Sequence, residues 1–130
     1  MNAGDAATPV LDRQVLGLFM ELHGHYARDQ LARAIAGDIG QLRAGSERLA
    51  SAIADGQLEA ARPPAHDLTG LAATYGLQRL SYLAESLGQA CRASDGAAAR
   101  EACGRLVETL RASLERLEAE LAGDYGIALE

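Results

Sequence analysis

Apolar side chains recur along this chain at steps of three and four, the spacing that gathers them on one face of an α-helix. Leu11, Val15, Leu18 and Leu22 form the first such row, widened by Phe19. They predict a helix from about Leu11 to about His23, stopped by Gly24. Leu31, Ile35, Ile39, Leu42, Leu49 and Ile53, with Ser46 filling the gap, predict a longer helix from about Tyr26 to Ala54. Gly37, Gly40 and Gly45 oppose it, each by up to about 1 kcal/mol relative to alanine. Asp55-Gly56 reads as its end and a turn.

Residues 57–62 can add one helical turn before Pro63-Pro64, which must break or restart the helix because proline lacks an N–H. Proline suits a helix start. A third helix is therefore expected from about Pro63 to Ala90 or Cys91, with Ser94-Asp95-Gly96 as a turn and N-cap. In the fourth, Cys103, Val107, Leu110, Leu114, Leu117 and Leu121 repeat like the seam of a packed bundle, and Gly123 ends it. The expected fold is all-α: an antiparallel up-down four-helix bundle over residues 10–122. Residues 1–9 read as a disordered lead and 123–130 as a short tail.

Composition agrees with helix. The 130 residues fit one domain, tryptophan is absent, and Phe19 is the single phenylalanine. A net charge of -6 argues against general nucleic-acid affinity. Every basic side chain is arginine or histidine, for the chain has no lysine. Cys91 and Cys103 read as free, buried thiols of a reducing cytoplasm, not as zinc ligands. The start MNAGDAATPV lacks the basic and apolar parts of a signal peptide, and no stretch is apolar enough to span a membrane. The expectation is a cytoplasmic monomer needing no cofactor or metal.

The chemistry concentrates between Ala65 and Leu87. The apolar row there is Ala65, Leu68, Ala72, Gly76, Leu80, Leu83 and Leu87. His66 follows Ala65 by one residue, so it is turned about 100° from that row and lies on the flank. Its own row continues through Gly70, Ala73 and Leu77. A glycine inside a helix destabilises it. Here it leaves bare backbone one turn from the imidazole, where a second protein can approach the ring.

Ala65, His66, Leu68, Gly70, Ala72, Gly76, Leu80 and Leu83 resemble the signature of histidine-phosphotransfer (HPt) domains, in which AHxLKG precedes small residues, a second glycine and spaced leucines. The resemblance is close over this helix and loose over residues 10–121. It implies that the outer ring nitrogen of His66 takes a phosphoryl group from a receiver-domain aspartate, or from a hybrid histidine kinase, and passes it to a response regulator. It also implies that magnesium and most catalytic groups belong to the partner, so the module is a carrier and not an enzyme. Such transfer needs positioning and charge stabilisation.

Two positions depart from the pattern. Thr69 stands where the family has a lysine that steadies the phosphoryl charge, and it offers a hydroxyl without charge. Arg62, one turn before His66, is the candidate replacement cation if it shares the histidine's face. Leu71 stands where a small residue is usual, and with Ala73 and Leu77 it is a candidate for partner docking. A competing reading is a non-catalytic module of the same shape that binds and sequesters a response regulator. A weaker one is an unrelated helical scaffold.

Other features have plainer readings. His23 and His25 have no third ligand and read as solvent-facing. Glu115, Glu118 and Glu120 with Arg111 and Arg116 read as a solvated face with pairs such as Arg111 and Glu115. Tyr75 and Tyr82 read as core or rim packing.

Overall fold

Five helices follow one another in the computed structural model, which describes residues 8–129: α1 (Arg13–Leu22), α2 (Arg28–Ala54), α3 (Leu58–Thr74), α4 (Gln78–Arg92) and α5 (Gly96–Tyr125). The bundle is made by α2 to α5. Helix α2 packs on α3, α3 on α4, α4 on α5, and α5 back on α2, while α1 reaches α3. Three-residue turns join the four, which makes successive helices antiparallel. Tyr75 Oη donates to Asp38 Oδ2 at 2.5 Å, and a Cβ built on Gly45 would lie 3.5 Å from Leu68 Cγ, so α2 and α3 run in opposite directions. Burial and the bond to Asp38 push the Tyr75 phenol well above the usual tyrosine range, so it stays a donor.

The expected third helix is thus two helices. At the end of α3, Gly76 takes φ +76°, its N–H reaches Ala73 O at 3.1 Å, and the Leu77 N–H reaches Ala72 O at 2.9 Å. This is a Schellman turn, with the apolar residue after the glycine packed inward. Leu77 is fully buried, which removes it from the docking candidates. The same pair of bonds closes α2 at Gly56-Gln57 and α4 at Ser94-Asp95.

Helix α3 also starts earlier than expected and runs unbroken through Pro63 and Pro64. The two N–H groups that proline lacks would have met the carbonyls of Glu59 and Ala60. Both residues are exposed, so water can satisfy those oxygens. Burial of Ala61, Pro64, Ala65 and Leu68 on the inner face offsets the loss.

Helix α1 lies across one end of the bundle. Asp12 caps it through Gln14 N and Val15 N, and accepts from Gln78 Nε2 at 2.8 Å. The Asp12 N–H meets Gly76 O at 2.7 Å. That tether presents Leu16 and Met20 to the core, and Leu18 and Leu22, expected in the buried row, stay exposed. In α5 the seam runs through Leu106, fully buried, while Val107 is exposed and Leu110 half-buried. Helix α5 continues past Gly123 to Tyr125, where Gly126 at φ +64° caps it and Ile127 folds back into the core. Of the expected lead, residues 1–7 lie outside the described residues; Thr8 and Pro9 accept hydrogen bonds from the Arg79 side chain and backbone. Cys91 and Cys103 are free and buried, and burial raises both thiol pKa values.

Candidate functional site

His66 is exposed on the third turn of α3, between buried Ala65 and exposed Asp67. Its ring nitrogens make no hydrogen bond among the described residues, which leaves either free to act as a nucleophile. One turn on, a Cβ added to Gly70 would find nothing within 4 Å. The imidazole therefore stands beside open helical backbone, continued by exposed Ala73. Leu71 is half-buried and turns toward α2, lining a groove with Gln41, Ala44 and Arg48.

The other flank of His66 is a groove of about 410 Å³ between α3 and α4. Arg62, His66 and Thr69 line it from α3, and Glu85, Gln89 and Arg92 from α4. The helices approach closely here because Gly88 lies opposite Ala65: a Cβ at Gly88 would come to 3.7 Å from Ala65 Cβ and 3.8 Å from Arg92 Nη1. Ser81 Oγ donates to Thr69 O at 2.9 Å and fixes the register of the pair. The turn at Gly76 thus folds three polar side chains of α4 back alongside the histidine. They were not legible as neighbours while residues 63–91 were read as one helix.

Two arginines and an amide form the donor set of this groove, and guanidinium groups suit phosphoryl oxygens in charge and geometry. Because α3 is continuous through the prolines, Arg62 shares the His66 face. The Thr69 hydroxyl is otherwise occupied: it donates to Ala65 O at 2.8 Å. Such back-bonding is common for threonine in helices.

The remaining candidates behave differently. The His23 Nδ1–H donates to Phe19 O at 2.9 Å and the ring stacks on Phe19 at 4.4 Å. His25 packs on Tyr26 at 4.3 Å. No cluster of three metal-ligating side chains occurs among the described residues. Arg111 Nε pairs with Glu115 at 3.1 Å on an exposed face, as the spacing predicts. Among the described residues no helix is long and apolar enough to cross a membrane.

No curated protein and no solved structure gives a significant match to the chain. The family model of the Hpt domain matches residues 27–120, from the start of α2 deep into α5, so the chain belongs to the Hpt domain family, the phosphotransfer modules of two-component systems.

Proposed function

We propose that this Hpt domain carries a phosphoryl group on His66 and relays it between receiver-domain aspartates, or from a hybrid histidine kinase to a response regulator. The observation that carries the reading is an exposed, unpaired imidazole set between bare backbone at Gly70 and a groove holding Arg62, Gln89 and Arg92. In the forward step a ring nitrogen of neutral His66 attacks phosphorus, the N–P bond forms, and the bond to the aspartate oxygen breaks, returning a carboxylate to the receiver. Donation from Arg62, Arg92 and Gln89 then stabilises the dianionic group on the ring. Gly70 and Ala73 give the partner its approach, with Leu71 at the margin. The protein acts in the cytoplasm as a monomer.

The access argument has a direct test. Gly70→Ala is expected to be neutral or to stabilise the helix by up to about 1 kcal/mol, because the added methyl meets open space. Gly70→Gln is expected to slow transfer from a phosphorylated receiver on the order of tenfold or more, by holding the reacting atoms apart, with the melting temperature little changed. Equal transfer by the wild type and the glutamine variant would remove the access argument.

The second reading, a module that binds a receiver without accepting phosphate, rests on Thr69 in the place of lysine. The arginines of the groove answer it. Thr69→Lys is expected to change the phosphohistidine half-life by less than about threefold, since charge is already present. Arg92→Ala is expected to shorten it about tenfold, the scale of a lost hydrogen bond to a charged group. A large gain from Thr69→Lys with no loss from Arg92→Ala would favour the sequestering module.

A further inference from the structure

Glu59, Arg62 and His66 succeed one another at steps of three and four, so they occupy a single face of α3. The guanidinium between them is already engaged. Arg62 Nη1 donates to both Glu59 carboxylate oxygens, at 3.0 and 3.2 Å. The pair is open to water, with side-chain exposures of 43% for Arg62 and 81% for Glu59. Arg62 is thus turned toward the start of the helix while it lines the groove that holds His66.

We propose that Glu59 is a positioning residue that holds Arg62 while His66 is unmodified and competes with the phosphoryl group for it afterwards. This rests on His66 being the carrier. A phosphoryl group on the ring offers a dianion on the opposite side of the same guanidinium. With Nη1 held by Glu59, Arg62 can offer the phosphoryl group only its remaining donors, and a full fork on that group draws it away from Glu59. Part of the stabilisation it gives the phosphohistidine is therefore spent in parting from Glu59. That competition keeps the phosphohistidine poised for onward transfer instead of storage. Exposed pairs of this kind are weak, so the switch is cheap to throw.

The test uses the full chain and potassium phosphoramidate as a small phosphodonor, so that no partner is needed. The imidazole nitrogen forms a bond to phosphorus, the phosphorus–nitrogen bond of the donor breaks, and ammonia leaves. After the donor is removed, phosphorus NMR follows the decay of the phosphohistidine. Glu59→Gln is expected to lengthen its half-life about twofold, the scale of one exposed ion pair. Arg62→Ala is expected to shorten it, and adding Glu59→Gln to Arg62→Ala is expected to change nothing more. Unchanged decay in Glu59→Gln would overturn the proposal. So would an equal lengthening with and without Arg62, which would make Glu59 a source of field and not a competitor. A wild type that takes the phosphoryl group neither from phosphoramidate nor from a phosphorylated receiver would overturn the carrier reading itself, whereas normal labelling with decay indifferent to Glu59 would overturn this inference alone.

Discussion

Gly76→Ala is expected to lower the stability of the fold by about 3 kcal/mol, the largest loss for any single added methyl here, from two terms of similar size. Gly76 sits at φ +76°, a left-handed conformation that costs an L-residue about 1–2 kcal/mol. The new Cβ would also stand 2.5 Å from the Asp12 carbonyl oxygen and 3.3 Å from Leu16 N and Val15 Cβ. Two of those three atoms are backbone, so relief requires moving α1 off the turn, and crowding of this sort costs about 1–3 kcal/mol. In thermal unfolding the midpoint should fall by about 10 °C or more for a domain of this size. Gly40→Ala is the control. It lies mid-helix in α2 with nothing within 4 Å of the added carbon, and should stabilise by about 0.5–1 kcal/mol. A Gly76→Ala variant as stable as the wild type would contradict the packing of α1 on the α3–α4 turn.

That same glycine explains what the amino-acid pattern conceals. Gly76 falls on the apolar row of Ala65, Leu68, Ala72, Leu80 and Leu83, because the helices on either side of the turn keep nearly the same phase. Periodicity alone then reads one helix. In one helix Gln89 would lie about 35 Å beyond His66, at 1.5 Å per residue. Folded back at Gly76, it lines the histidine's own groove. The legible clue was local: glycine between Tyr75 and Leu77 has the chemistry of a helix C-terminus followed by an apolar anchor. His66 itself was legible, because the one-residue offset from buried Ala65 is a property of the helix and survives any choice of partner helix.

Helix α2, long and with one apolar row, is legible to the residue at its end, Ala54, and nearly so at its start, expected at Tyr26 and found at Arg28. Helix α1 has two rows, one through Leu18 and Leu22 and one through Leu16 and Met20. Which is buried depends on the tether between Asp12 and Gly76, a contact between distant parts of the chain that spacing does not encode. Leu106 and Val107 pose the same choice in α5, settled by where α4 and α2 lie. Arg62 was expected to share the histidine's face only if the prolines allowed it, and the unbroken α3 shows that they do.

His66→Gln is expected to abolish phosphoryl carriage, the largest functional effect in the molecule. Glutamine fills similar space but its amide nitrogen is not nucleophilic, so the bundle should melt as before while the chemistry stops. His23 is not expected to substitute, since its ring is stacked between Phe19 and Tyr26 and lies near Asp38, with no bare backbone beside it. His25 lies in the turn after α1 with its ring against Tyr26, away from the arginines of the groove. The decisive measurement incubates the purified protein with a radiolabelled phosphorylated receiver, then tests the label on the Hpt chain for acid and alkali stability. Acid-labile, alkali-stable label is expected on the wild type and on a His23→Gln, His25→Gln double variant, and none on His66→Gln. Label that persists in His66→Gln, or a cognate receiver that binds the wild type and never transfers its phosphoryl group, would contradict the account.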